Sequence, residues 1–294
     1  MGEVATFISF PGMLADAMKH VERALPEIDH LHVRLYMVNN QTIDQTWAAE
    51  DVCSPYWRFY VNSRAGASVV MADHTYPLAA RRIHFVPAWV RWTCHNTVPI
   101  DHLFAHFDLI GLPGAVVRAC FPGPVTLPAD PDLEAQCESL RPLVPGGKGM
   151  AEPAVACRVK AAIYGALGRL FAGLDSEHAR RLVQYARGQN PVAEALRHID
   201  EHLGDELPNH QLATRCGYSE DHFVRLFRAR VGQTPAQYVL ERRLTAAAER
   251  LVFTDASIER IADDCGFPDR FYFSRMFRRR MGLPPAAYRK TSHQ

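Results

Sequence analysis

The sequence predicts an α+β protein of about two domains, a β-barrel or sandwich with a following helix pair first and an all-helical unit last. Three observations lead there: regularly spaced short apolar runs up to residue 127, one long helical stripe after 150, and a unit beyond Pro191 that occurs twice. At roughly 100–200 residues per domain, 294 residues fit about two, each large enough to bury a core without disulfide or metal staples. Hydrophobic residues make up 48% and charged residues 22%, which excludes collagenous and low-complexity classes.

The strand-like runs fall at 31–38, 56–61, 67–71, 83–90 and 103–110, separated by Gly, Pro, Asn and Asp, a pattern expected of a sandwich or barrel. A Pro/Gly-rich connection over 128–149 carries a short helix near 133–140. Val155, Val159, Ala162, Ile163, Ala166, Leu167, Leu170 and Phe171 then recur at helical spacing. This stripe suits either packing on its own β-domain or a dimer seam, and the polar segment 173–190 joins the halves. The expected organisation is a β-domain over 1–150, a dimerisation helix and linker over 151–190, and a helical domain over 191–294.

In the last part Val192, Leu196, Ile199 and Leu203 share one helix face. Leu212-Ala213-Thr214-Arg215-Cys216-Gly217-Tyr218 reappears 49 residues later as Ile261-Ala262-Asp263-Asp264-Cys265-Gly266-Phe267. Phe223, Phe227, Gly232, Pro235 and Tyr238 match Phe273, Phe277, Gly282, Pro285 and Tyr288 at an offset of 50. Each copy is a short helix, a glycine suited to positive φ, and a second helix entered through a polar residue, Ser219 in the first copy and Asp269 after Pro268 in the second. The second helices bury Phe223, Leu226, Phe227 and Val231, or Phe273, Met276 and Phe277, by their i, i+3, i+4 spacing. Away from those faces lie Asp221, His222, Val224 and Arg225 in one copy and Phe271, Tyr272, Ser274 and Arg275 in the other. Arg pairs with guanine edges, His and Ser make single hydrogen bonds, and Val and Tyr can touch a thymine methyl, so these residue types suit a major groove.

From Pro191 onward there are 16 Lys/Arg against 14 Asp/Glu, and residues 270–294 carry seven basic residues and no acid. Ser219, Arg228, Arg230, Arg278, Arg279, Arg280, Arg289 and Lys290 are therefore expected phosphate contacts, which fix register without reading sequence. A charge run is usually a solvated face; two runs in equivalent places favour a polyanion.

Residues 191–291 resemble the AraC/XylS family of bacterial transcription regulators. The resemblance rests on Leu-Ala-x-x-Cys-Gly-Tyr-Ser, Phe-x-x-Leu-Phe-Arg and Gly-Gln-Thr-Pro-x-x-Tyr, and in the second copy on Ile-Ala-x-x-Cys-Gly-Phe, Phe-Ser-Arg-x-Phe-Arg-Arg and Gly-x-Pro-Pro-x-x-Tyr-Arg. It implies two helix-turn-helix units joined by a long helix over 235–252 and placed in successive major grooves of promoter DNA. It also implies a homodimer, contact with RNA polymerase, and a small-molecule effector. Asp221 departs from the pattern as an acid at a base-reading position; it can accept from cytosine N4 or help start its helix. More weakly, the N-terminal part resembles the cupin-like jelly-roll sensor often fused to this module, through Tyr60-Val61-Asn62, Phe85-Val86-Pro87 and the stretch 102–108. Such sensors often bind a sugar inside the barrel. Strand alternation puts His102, Phe104, His106 and Asp108 on one side and Leu103, Ala105, Phe107 and Leu109 on the other. With Trp57, Tyr60, Trp89 and Trp92 as flat walls, the expected effector contacts are Trp57, Tyr60, Trp92, His102, His106 and Asp108, although aromatics in a small barrel are more often core.

Two other functions compete with this reading. A metal-dependent cupin enzyme would use His74, His84, His95, His102 and His106, but no His-x-His with a following Glu has ligand spacing, and His30-Leu31-His32 stands at the start of the sheet. Gly146-Gly147-Lys148-Gly149 lacks phosphate-loop spacing. A thiol-based DNA-damage or redox sensor would need an activated cysteine. Cys53, Cys94, Cys120, Cys137, Cys157, Cys216 and Cys265 are scattered without a Cys-x-x-Cys pair, Cys216 and Cys265 suit core packing, and Cys53 or Cys94 would be the redox candidates. No metal, cofactor or catalytic residue is expected. Without a membrane-length apolar run or a basic leader the protein is expected to be soluble and cytoplasmic; Met1-Gly2 with Thr6 matches a lipidation pattern that recurs by chance.

Overall fold

The computed structural model of the chain describes residues 31–144, 152–186 and 191–291. The lipidation pattern, His30 and the glycine run at 146–149 lie outside them. Alternating aromatic and β-branched runs form strands β1 (His32–Ile43), β2 (Ala49–Cys53), β3 (Trp57–Asn62), β4 (Ala67–Met71), β5 (His74–Pro77), β6 (Ile83–Val86), β7 (Arg91–Asn96), β8 (Ile100–Ile110) and β9 (Val125–Thr126). They build two antiparallel sheets, in the orders β1-β8-β3-β6-β9 and β2-β7-β4-β5.

Because side chains alternate along a strand, the five-stranded sheet has two different buried faces. Trp57, Phe59 and Val61 of β3, with Leu103, Ala105, Phe107 and Leu109 of β8, face the helices. Tyr60 and Phe104 meet Val69, Trp92 and Cys94 of the other sheet. The register sets Arg58 opposite His106, Tyr60 opposite Phe104 and Asn62 opposite His102, so this inter-sheet interior carries a polar row.

Helices α1 (Gly114–Cys120), α2 (Pro131–Leu140), α3 (Pro153–Ala172) and α4 (Ser176–Ala186) follow. Asp130 caps α2 by accepting from the Leu133 amide, and Pro131 supplies its first turn. The stripe of α3 buries Val159, Ala162, Ile163, Ala166, Leu167 and Leu170, and the Val33 amide of β1 donates to its Tyr164 hydroxyl at 2.8 Å. Of the two expected uses of the stripe, packing on the chain's own β-layer is the one observed. The polar segment that follows α3 carries α4, so two helices follow the sheets, as the expected helix pair requires.

The remainder is helical: α5 (Ala193–Glu201), α6 (Asn209–Arg215), α7 (Glu220–Val231), α8 (Pro235–Phe253), α9 (Ile258–Asp264), α10 (Arg270–Met281) and α11 (Pro285–Thr291). A capping box between Thr234 and Gln237, with Pro235 at the first turn, starts the long α8. The turn glycines Gly217 and Gly266 have φ of +73° and +75°, so both copies reverse through the same left-handed residue.

The two copies differ in what they pack against. Leu212, Phe223, Phe227, Val231 and Tyr238 close a separate core with Val192 and Ile199. Ile261, Phe273, Phe277, Met281 and Tyr288 belong to the core that runs on into the helix-facing side of the five-stranded sheet.

Candidate nucleic-acid interface and inter-sheet interior

Helix α7 buries Phe223, Phe227 and Val231, and α10 buries Phe273, Phe277 and Met281, one residue per turn in each. That anchoring turns Asp221, His222, Arg225, Arg228 and Arg230 of α7 to solvent, and Phe271, Arg275, Arg278 and Arg279 of α10. Phe271 is 65% exposed, an unusual position for a phenyl ring. Val224, Tyr272 and Ser274 are half-buried at the edges of these faces. Neighbouring rings steady some of the exposed groups: His222 lies 5.0 Å from Tyr218, and the Arg275 guanidinium lies 6.0 Å from the Tyr272 ring. The Asp269 carboxylate accepts from the Phe271 and Tyr272 amides, both at 2.7 Å, and caps α10. Ser219 occupies the equivalent place before α7, but its side chain makes no capping bond.

Two of the expected phosphate contacts are engaged within the protein. Arg280 donates to Glu241 at 3.0 Å and lies 4.6 Å over the Trp89 ring, while its carbonyl accepts from Arg91 at 3.3 Å. Arg289 donates to the Leu251 and Ala256 carbonyls at 3.3 and 2.6 Å, closing the end of α8. Both looked like members of a solvated basic run because their acceptors come from distant parts of the chain. Lys290 is exposed.

In the β-rich part, Tyr60, Trp92, His102 and His106 lie between the sheets, as alternation predicts. Trp57 does not: it points to the opposite face, among Phe85, Phe107 and Phe121. The odd positions of β3 all face the helices, so the even neighbour Arg58 occupies the interior instead. Asp108 is a junction residue; it accepts from Arg242 of α8 at 2.9 Å and from the Tyr36 hydroxyl at 3.4 Å.

Burial sets the charge state of this interior. It holds the His102 imidazole down at about 3, and Nδ1 lies 2.7 Å from Asn62 Oδ1. Burial likewise depresses His106, which stacks on Tyr56 at 4.8 Å, and raises the Tyr60 hydroxyl. Arg58 donates to Ser54 and lies between the Tyr56 and Trp92 rings, 4.8 and 4.7 Å away. Arg58 Nη1, Asn62 Nδ2 and Trp92 Nε1 are buried without hydrogen-bond partners among the described residues. Sequence reasoning missed Arg58 because an arginine in a strand ordinarily reads as solvent-facing; its even position beside Tyr60 and Asn62 was the available signal.

Burial pushes the thiols of Cys94 and Cys265 up to about 11 and that of Cys137 to about 12, away from the reactive thiolate; Cys53 and Cys216 shift the same way. Among the described residues no three His, Cys, Asp or Glu side chains converge as a metal site. No helix among them is long and apolar enough to cross a membrane.

Two helix-turn-helix units on one connecting helix define a DNA-binding module. A helix-turn-helix domain family matches residues 212–291. Regulatory protein SoxS of Escherichia coli (strain K12) is 37% identical over 101 residues, 34% of this chain and 94% of SoxS. The chain belongs to the AraC/XylS family of transcription regulators. The MmsAB operon regulatory protein of Pseudomonas aeruginosa is 38% identical over 97 residues, 33% of this chain, and the match spans only 32% of that protein. The crystal structure of ToxT from Vibrio cholerae O395 aligns with 89% of this chain and 98% of its own at 11% identity, with a TM-score of 0.51, a likeness of fold.

Proposed function

We propose that the protein is a cytoplasmic transcription regulator that reads promoter DNA with α7 and α10 and changes its binding when a small molecule enters a cupin-like interior between the sheets. Residues 1–150 are the sensor, 151–190 the connecting helices and 191–294 the reader. The observation that carries this reading is the equivalence of Arg225 and Arg275, which stand 50 residues apart on matched helices, both exposed. Helix α8, with 19 residues at 1.5 Å each, separates the units by about 28 Å, close to the roughly 34 Å of one DNA turn. The base-reading set is Asp221, His222, Val224, Arg225, Phe271, Tyr272, Ser274 and Arg275. Ser219, Arg228, Arg230, Arg278, Arg279 and Lys290 serve phosphates; Arg280 and Arg289 can join only by leaving their present partners.

RNA polymerase contact is the family's usual output, and a homodimer would present two readers. Since the α3 stripe is buried on its own sheet, the dimer seam falls on other residues. No catalytic step is part of this reading. The effector acts only through a difference in affinity for two arrangements, so its coupling to DNA is reciprocal.

The test starts by selecting bound duplexes from a random pool with the full chain. Arg275→Ala should then cost about 1–3 kcal/mol on the selected site and relax one base pair. Arg278→Ala should weaken all duplexes alike and reduce the salt slope by about 0.9. Unchanged selectivity in the first variant would remove Arg275 from the reading set, and no selected sequence at all would overturn the function.

A further inference from the structure

We propose that the sensor interior holds a site for a small organic monocarboxylate, with Arg58 as the group that reads its charge. This deepens the effector reading and rests on it. The Arg58 guanidinium is buried, yet no aspartate or glutamate among the described residues forms an ion pair with it. The neighbouring guanidiniums have their own acids: Arg91 pairs with Asp51 and Arg280 with Glu241. Arg58 has a serine hydroxyl and two aromatic faces, which supply far less than a carboxylate would.

A buried cation with an unsatisfied N–H destabilises the fold that contains it, and an apolar side chain of equal size would be the more stable choice. Such a group is explained when an anion completes it in a second state. Two donors at this spot lack acceptors among the described residues, Arg58 Nη1 and the indole Nε1 of Trp92, whose ring lies 4.7 Å from the guanidinium carbon. A carboxylate offers two oxygens to a pair of donors. Both histidines in the same row, His106 and His102, are held neutral, so the unpaired charge at the site is one, which matches a monoanion and leaves a phosphate dianion undercompensated. The Tyr60 and Phe104 rings continue the row and suit an apolar or flat body behind the carboxylate.

The site also touches the reader. Tyr56, one face of the Arg58 sandwich, also lies beside Tyr288 of α11, whose hydroxyl is pushed up by burial and by the neighbouring Tyr56 phenol. An anion that draws the guanidinium off the Tyr56 ring alters the surroundings of that contact, and so gives ligand binding a route to the DNA-binding half.

The experiment follows thermal midpoint and tryptophan fluorescence of the full chain with hexanoate and phenylacetate, each against its neutral amide, and with phenyl phosphate. The acids should raise the midpoint in a dose-dependent way and the amides should not. Arg58→Met should weaken acid binding at least about tenfold while leaving the unliganded midpoint equal or higher, and Arg58→Lys should retain part of the response. Arg58→Gln replaces Arg58→Met if the latter does not fold. An acid response unchanged in Arg58→Met, or a preference for phenyl phosphate, overturns the assignment. Equal responses to acid and amide overturn the charge reading but leave effector binding standing. Silence from every acid also overturns it, and the effector reading falls with it only if sugars and other neutral metabolites are equally silent.

Discussion

His102 lies between the sheets with its ring against Tyr60, Phe104 and Trp47, at centroid distances of 4.7, 5.3 and 5.4 Å. In the unfolded chain its imidazole ionises near 6.5, whereas burial holds it down to about 3 in the fold. The unfolded state therefore binds the extra proton between those values. The stabilisation is complete above 6.5 and is lost as pH falls towards 3, by up to about 1.4 kcal/mol per pH unit for one proton. His106 and His84 shift in the same direction and steepen the fall. Urea midpoints measured across that window should decline with acid, and His102→Asn should flatten the decline; a level wild-type profile would contradict it. The polar row was partly legible, since alternation alone placed His102 and His106 together. It was misread at Trp57, where bulk suggested a ligand wall and strand parity dictated the helix-facing core. Arg280 and Arg289 show the opposite difficulty, because a basic residue carries no local sign of an acceptor about forty positions upstream.

At the level of elements, the repeat was the most legible feature, because both turns need left-handed glycine and both second helices need paired phenylalanines at fixed spacing. The two turns are not equally tolerant. A Cβ on Gly217 meets nothing within 4 Å, while one on Gly266 would come within 2.6 Å of the Leu203 carbonyl oxygen and 2.8 Å of the Arg243 guanidinium. Gly217→Ala should cost about 1–2 kcal/mol, the left-handed strain alone. Gly266→Ala should exceed it by at least about 1 kcal/mol through the clash. Chemical denaturation of the two variants checks the order, and equal losses would show that backbone strain dominates both. Strands β2, β5 and β7 escaped the sequence because their outward positions, among them Glu50, Asp51, His74 and His95, interrupt the apolar runs. Helix starts were half-legible: Asp269 caps its helix as its position suggests, and Ser219, in the matching place, does not.

Across the whole molecule, the two halves meet at a buried carboxylate. Glu241 of α8 has only 6% of its side chain exposed and binds Arg118 of α1 at 3.1 Å and Arg280 of α10 at 3.0 Å. Beside it Arg242 joins Asp108 of β8 to Asp200 of α5, at 2.9 and 2.7 Å. Glu241→Gln removes the charge that two guanidiniums share and should loosen α10 from α1 and the β-rich part. Unliganded protein should then bind its selected duplex about fivefold or more tightly, with a smaller response to effector. Titrations of both proteins decide this, and weaker binding by the variant would mean that the ion pairs hold the reader in its competent form. None of these pairings was visible beforehand, since each links residues far apart in sequence. The division of the cores has a further consequence. One half of the duplicated helical unit shares its interior with the five-stranded sheet, and the other is fastened chiefly through the connecting rod. The same unit, written twice in the chain, therefore has two mechanical statuses: a shift originating between the sheets would displace the second reading head relative to the first, and an operator would register it as a change in the spacing its half-sites must satisfy.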